Sequence, residues 1–236
     1  MSTSRIRTKG KDSGKANGHI GGKSKKRKSA NDSSSFLATI LQLDEKYTSI
    51  CAICANKDSP LSLLRPVMKL LEISCHGIPW LTGTVLLILS VHLAHHVEMS
   101  VNLLFGLILD LIVIGILKVA FRRSRPKHNE MDMFATVSID NYSFPSGHAS
   151  RAGMLACFFL IEYLSCPTKE LLILAWSFTV TISRVVLGRH HLIDVVCGYG
   201  VGILEYLMLV YLWIPQKTCM SWLELYFNVV TADFQV

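Results

Sequence analysis

From residue 78 onward the chain is written in long apolar runs with short polar breaks. Ile78–His96, Val101–Phe121, Ala149–Leu164, Leu171–Leu187 and Val195–Ile214 each approach the length that crosses a hydrocarbon core. Val101–Phe121 is the clearest, because its 21 residues at about 1.5 Å each give roughly 31 Å. The Ala149 run is short, and tilted neighbours can absorb the mismatch. A backbone in lipid must satisfy its own hydrogen bonds, so every run is predicted to be a helix. Upstream, "LSLLRPVMKLLEIS" (Leu61–Ser74) is interrupted by Arg65, Pro66, Lys69 and Glu72. It is predicted to be an amphipathic helix lying in the interface rather than a sixth span. The C-terminal "MSWLELYFNVV" reads the same way. The pattern therefore predicts an all-α, polytopic membrane helix bundle of about five spans plus an interfacial helix. Its segments are a disordered basic tail (1–35), interfacial helices (36–76), a transmembrane domain (77–215) and a C-terminal tail (216–236).

Composition agrees with a membrane chain. Half of the 236 residues are hydrophobic and only 17% are charged, with a mean hydropathy of +0.39. The net charge of +7 suggests nucleic acid until it is located. Residues 1–35 hold ten Lys/Arg against Asp12 and Asp32, a balance of +8, so the rest sums to about −1. The Lys23–Lys28 cluster suits a nuclear-type address, a contact with anionic headgroups, or a solvated arm that fixes topology. No nucleic-acid partner is expected of the folded part. No apolar stretch closely follows the basic start, so no secretory signal is expected. The seven cysteines lie mostly in apolar segments, and Cys51–Cys54 has no second pair. No metal site or disulfide framework follows from them.

Short connections at Glu98–Ser100 and Ser165–Thr168 fall on one membrane face. The long Arg122–Ser146 loop and the Gly188–Asp194 turn fall on the other, and the unusual polar residues gather there. Three segments meet on that face. In "KVAFRRSRP", Lys118 and Arg125 are seven apart, about two helical turns, and Pro126 stops the helix. Alone this is ambiguous, since basic residues beside a span commonly reach headgroups. In "NYSFPSGHAS", Ser146 can cap the next helix and Gly147 removes a side chain that would obstruct an anion. A helix start of that kind suits phosphate. A plain cap explains Ser146 and Gly147 but not the titratable His148 beside them. In "SRVVLGRHHLID", His190 and Asp194 are four apart and share a helix face. A carboxylate there can take the Nδ1 proton and leave Nε2 as an oriented nucleophile. Arg184 adds a planar fork suited to phosphate oxygens.

Together these segments form K-x6-RP, PSGH and SR-x5-H-x3-D, and the sequence resembles the type 2 phosphatidic acid phosphatase superfamily. Every motif position matches: Lys118, Arg125, Pro126; Pro145, Ser146, Gly147, His148; Ser183, Arg184, His190, Asp194. The likeness covers roughly Leu61 to Pro215 and is greatest to the branch acting on polyisoprenoid diphosphates. The resemblance implies a membrane lipid phosphohydrolase with a phospho-histidine intermediate and no cofactor, magnesium included. His190 would attack phosphorus, oriented by Asp194, and His148 would protonate the leaving oxygen and then activate water. Lys118, Arg125, Ser146, Gly147 and Arg184 would hold the phosphoryl oxygens, with Pro126, Pro145 and Ser183 structural. Lipid phosphate substrates and membrane lipids are the expected partners, and a homo-oligomer stays open. The alternative is a catalytically silent membrane protein of the nuclear envelope or endoplasmic reticulum acting through its basic tail. Vanadium-dependent haloperoxidases share the anion site but are soluble.

Other residues are read more plainly. His92, His95 and His96 end the first run on the far face and are expected to be interfacial. Asp110 and Glu205 lie at mid-membrane depth, where ionisable groups are paired inside the bundle. Arg122, Arg123, Lys127, Arg151 and Arg189 exceed what one phosphate needs and suit either a second phosphate or headgroups. Glu130, Asp132 and Asp140 form no evident metal cage, and His191 reads as a bystander. Five spans put the termini on opposite sides. The basic tail then places the N-terminus and active site in the cytosol, on endoplasmic reticulum or nuclear-envelope membrane.

Overall fold

The computed structural model describes residues 22–90, 96–130, 132, 141–163 and 165–233, with side chains from Phe36 to Leu225. Every regular element in them is helical. The chain divides into two compact units, Met1–Gln42 and Leu43–Val236. Helix α1, Gly22–Cys51, begins in the first and ends in the second. Its start overlaps the tail that composition marks as unstructured; the Lys, Arg and Ala there are good helix formers and no Pro interrupts them. Residues 1–21 lie outside the described part.

In the second unit a 3-10 turn leads into α2 (Arg65–Ser74), with Pro66 in its first turn, where no N–H is needed. The helix bends by 42° into α3 (Gly77–Leu89). Helices α4 (Val97–Phe121), α5 (Gly147–Phe158), α6 (Pro167–Val186), α7 (Leu192–Tyr211) and α8 (Gln216–Asp233) follow. A π-helical turn, Phe159–Tyr163, extends α5. All five apolar runs therefore contain helices. Among the described residues, α4 and α7 alone are each long and apolar enough to cross a membrane unaided; α2 and α3 qualify only as one bent span. Helix α6 is long enough but carries Lys169, Glu170 and Arg184, and α5 is short and rich in small residues. His92 and His95 lie outside the described residues; His96 stacks edge-on with Tyr163.

Helix α5 is the centre of the bundle, with Met154, Leu155 and Phe158 packed against Leu103 and Leu107 of α4 and Leu209 of α7. Polarity runs the opposite way from a soluble core. Ile112 and Ile116 of α4, Leu172 of α6 and Leu204 of α7 face outward, while Asp110, Arg151, Ser177 and Glu205 are buried. Arg151 Nη2 lies 2.5 Å from Asp110 Oδ2, and Ser150 Oγ donates to Glu205 Oε2 at 2.9 Å. The two mid-membrane carboxylates thus join α4 and α7 to α5. Outward apolar and inward paired charge is what a lipid solvent demands.

The α5–α7 contact sets how close these polar groups come. A Cβ on Gly202 would stand 2.0 Å from the Ser150 carbonyl oxygen, and one on Gly198 2.6 Å from that of Ser146. Both would collide with backbone, so only glycine allows this approach, the small-xxx-small device of packed membrane helices. Gly202→Ala should push the helices apart and lower stability by about 1–3 kcal/mol or more. Gly200→Ala, where an added Cβ meets nothing within 4 Å, should leave it unchanged. Thermal unfolding of both variants in detergent checks this; equal midpoints would sink the close-approach account.

Candidate active site

The ends of α4 and α6, the start of α5 and the turn into α7 meet on one side of the bundle. Lys118 sits in the last turn of α4, buried. The helix stops at Arg122, which is left-handed at φ 47°, and the chain carries no regular structure through Arg123, Arg125 and Pro126. After α6, Gly188 takes φ +66°, and the N–H groups of Arg189 and His190 both return to the Arg184 carbonyl, at 2.9 and 3.2 Å. This reversal folds Arg189 and His190 back over the Arg184 end of α6. Ser146 N donates to the Asp194 carbonyl at 3.0 Å, tying the start of α5 to the first turn of α7.

His190 is 2% exposed, and its Nδ1 lies 2.7 Å from the Ser143 carbonyl oxygen. A carbonyl only accepts, so Nδ1 carries the proton and Nε2 the lone pair. Asp194, expected from spacing to hold that proton, is 3.9 Å away. Its carboxylate instead accepts from Arg123 Nη1 at 2.5 Å, His191 N at 2.8 Å and His191 Nδ1 at 3.1 Å. Residues three and four apart share one helix face, and His191, as N-cap of α7, holds the Asp194 carboxylate with both its backbone N–H and its ring Nδ1–H. His191 is therefore no bystander, and the orienting group for His190 is a backbone carbonyl. That carbonyl is fixed because Ser143 N donates to the Arg123 carbonyl and Ser143 Oγ to the Ser124 carbonyl, both at 2.8 Å. Burial, then the charges of Arg125, Arg184 and Lys118, hold His190 well below the usual histidine range; the Ser143 bond pulls weakly the other way. Its imidazole is neutral at neutral pH.

Ser146 is the N-cap of α5, but its hydroxyl makes no cap bond. Ser146 Oγ, His148 Nε2 and all three Arg184 nitrogens are buried without a hydrogen-bond partner. Buried polar groups are rarely left so, and these five atoms belong to Ser146 and Arg184, expected to hold phosphate, and to His148, expected to carry the proton. Lys118 and Arg184 lie within electrostatic reach of both His148 and His190. Gly147 serves packing more than access, since a Cβ there would meet Ile114 at 3.3 Å. Ser183 Oγ back-bonds to the Val180 carbonyl at 2.6 Å, and Pro126 and Pro145 are buried.

Most surplus arginines have other partners. Arg123 bridges Asp194 and Asp44, Arg151 binds Asp110, and Arg189 lies 2.6 Å from Asp132 and 3.5 Å from Glu72. Arg122 turns its Nε to the Val119 carbonyl, and Lys127 pairs with Glu45 in solvent. Asp132 also takes Arg65 and Lys69; burial would raise its carboxyl, but these hydrogen bonds hold it well below the usual range. Glu130 pairs with Arg65, and Asp140 lies outside the described residues. Among the described residues no group of three or more His, Cys, Asp or Glu stands where it could hold a metal ion.

Three contributors had no motif signal. Asp44 Oδ1 accepts from Ile193 N and Thr48 Oγ1 from Leu192 N, each at 3.1 Å, so the end of α1 caps α7. Glu72, from α2, lies 3.2 Å from Arg184 Nη1. Asp194→Ala should cost about 3–5 kcal/mol by stranding buried charge. His190→Ala, which leaves the bonds of Asp194 to Arg123 and His191 intact, should not. Their thermal midpoints in detergent compare the two; equal losses would return Asp194 to the His190 pair.

The PAP2 superfamily matches residues 99–219, just over half of the chain. The chain is 39% identical to the probable lipid phosphate phosphatase beta of Arabidopsis thaliana, over 44% of this chain and 61% of that protein. It is 33% identical to phosphatidylglycerophosphatase B of Bacillus subtilis, over 45% and 53% respectively. A lipid A 1-phosphatase of Rhizobium johnstonii is 30% identical over 42% of each. The chain thus spans between 42% and 61% of these relatives' length. Its fold is similar to the PAP2-type phosphatidylglycerolphosphate phosphatase of Bacillus subtilis, with TM-score 0.55, 22% identity, and 74% and 86% of the two chains covered. For Aquifex aeolicus LpxE the TM-score is 0.51 at 19% identity, with 69% and 93% covered. With the motif residues gathered at one end of an all-helical bundle, this chain belongs to the PAP2 superfamily.

Proposed function

We propose that the protein is an integral membrane lipid phosphatase acting on polyisoprenoid diphosphates and related lipid phosphates, through a phospho-histidine intermediate. The observation that carries this reading is the cluster of buried, unpartnered polar atoms on Ser146, His148 and Arg184 beside a neutral His190. Such a group of donors calls for an anion with several acceptor oxygens. His190 Nε2 attacks phosphorus and the bond to the lipid oxygen breaks. His148, protonated as the anionic substrate binds beside it, supplies the proton to the leaving alcohol, or to the leaving lipid monophosphate when the substrate is a diphosphate. Water, deprotonated by His148, then attacks the phospho-histidine, freeing inorganic phosphate and restoring the imidazole. Lys118, Arg125 and Arg184 balance the phosphoryl charge, and positioning with electrostatics dominates such transfers. Residues of this chain fill every role, so the reaction is proposed to be independent of magnesium.

Two further features support a lipid substrate. An apolar cavity of about 570 Å³ runs between α3, α4 and the end of α5, past Trp80, Leu103, Phe159 and Tyr163. One of its lining residues, Ser74, precedes Cys75, whose thiol donates to the His148 carbonyl at 3.5 Å. We infer that this trough takes the hydrocarbon chain of the lipid. The named relatives are also phosphatases of lipid molecules. Purified protein should release phosphate from farnesyl or presqualene diphosphate, and His190→Ala should abolish release. His148→Ala should cost roughly 10²–10⁴-fold, and EDTA should change nothing. Release that survives in His190→Ala rejects the mechanism, and a preference for phosphatidate over every isoprenoid rejects the substrate class.

The basic tail supports a cytosolic N-terminus and active site on endoplasmic reticulum or nuclear-envelope membrane. Asn141, in the sequon Asn141-Tyr142-Ser143, is exposed on the motif face. In microsomes it should remain unglycosylated, and a glycan there would put the active site in the lumen.

A further inference from the structure

We propose that Glu72 is a positioning residue of the phosphate site, a carboxylate behind Arg184 that orients its guanidinium while leaving the donors to the substrate. The inference rests on the lipid phosphatase reading and assigns a role to α2, which carries none of the family motifs.

Helix α2 is turned against its own polarity. Glu72 is 2% exposed while Leu70, two residues earlier, is 66% exposed. Burying a lone carboxylate is costly unless cations meet it. Two do, for Glu72 Oε2 lies 3.2 Å from Arg184 Nη1 and 3.5 Å from Arg189 Nη2. Both arginines are fully buried. The contact to Arg184 has ion-pair distance without hydrogen-bond alignment, so all three guanidinium nitrogens keep their donors. Glu72 Oε1 has no partner either.

This geometry answers two opposed demands. Without a counter-charge, Arg184 would be repelled from Lys118 and Arg125, the other cations around His190. With a fork-to-fork carboxylate it would have no donors left for phosphate. A carboxylate close by but off the donor axes meets both conditions. It is also braced, because Arg189 is held on its other side by Asp132, and Asp132 by Arg65 and Lys69 of the same α2. Charges alternate along this chain from Arg184 to α2, so Glu72 cannot shift without breaking other pairs.

A simple structural ion pair and a positioning carboxylate differ in what they do to a bound anion. Glu72 repels phosphate while it aims Arg184. Glu72→Gln keeps the shape and removes the charge. Its kcat should fall roughly 10- to 100-fold, the scale on which outer partners of site residues act. Inorganic phosphate should nevertheless inhibit it at lower concentration than wild type, and should raise its thermal midpoint in detergent by more. Glu72→Asp keeps the charge one methylene further away, so phosphate inhibition should stay at the wild-type value while kcat drops. Unchanged kcat in both variants, or weaker phosphate binding in Glu72→Gln, overturns the proposal. If Glu72→Gln fails to fold, the kcat of Glu72→Asp decides alone. A wild type that releases no phosphate from lipids sinks the phosphatase reading instead. The thermal response to inorganic phosphate then still tests Glu72.

Discussion

The structure depends on holding several cations together in a low-dielectric bundle while leaving the Arg184 guanidinium without a hydrogen-bonded partner. Lys118, Arg184 and Arg189 are buried, and Arg125 turns Nη1 to the Arg189 carbonyl. Their repulsion is balanced from behind. Glu72 stands against Arg184 and Arg189, Asp132 against Arg189, and main-chain carbonyls take further N–H groups. Had these carboxylates bonded the Arg184 donors fork to fork, no donor would remain on that guanidinium. The same logic explains His190. A carboxylate on its Nδ1 would favour the imidazolium, whereas the neutral Ser143 carbonyl fixes the ring and leaves burial and the surrounding cations to keep it uncharged.

A second charged group, deeper in the bundle, follows a different rule. Arg151 binds Asp110 with an aligned hydrogen bond at 2.5 Å, and Glu205 takes the Ser150 hydroxyl. These pairs fasten α4, α5 and α7, while Gly198 and Gly202 let α7 approach α5 closely enough for them to form. The outer surfaces of the same helices are Ile and Leu, so lipid supplies no competing polar partner.

The sequence carried part of this. Helices were legible because a 20-residue apolar run has few other solutions, and the motif residues because their spacings are fixed by helix geometry. The partner of Asp194 was not, since positions three and four away on a helix look alike, and only the turn at Gly188 decides which histidine faces it. The Ser143 carbonyl was invisible because backbone groups have no sequence signal. Glu72 and Arg184 are more than a hundred residues apart, and a charged residue in an amphipathic stretch reads as its wet face. Here α2 packs on α6, so that face is the buried one. The helical start of α1 was missed because composition weighs charge and low hydrophobicity, not local helix propensity.

Two helix N-termini open toward the motif residues, and the chain treats them oppositely. At α7 the first N–H groups are all occupied: His191 N by Asp194, Leu192 N by Thr48, Ile193 N by Asp44. Three residues, Asp44 and Thr48 of α1 and Asp194 of α7 itself, go into closing that end. At α5 the N-cap hydroxyl of Ser146 is buried and bonded to nothing, and the residue after it is glycine. A helix start leaves its first N–H groups without intrahelical acceptors and carries positive dipole. Two such ends side by side would offer an anion two competing seats. Capping α7 with Asp44, Thr48 and Asp194 leaves the start of α5 as the open helix end, with His190 just before the capped one. The choice of which end stays open is thus made by Asp44, Thr48 and Asp194 rather than by any residue proposed to touch phosphate.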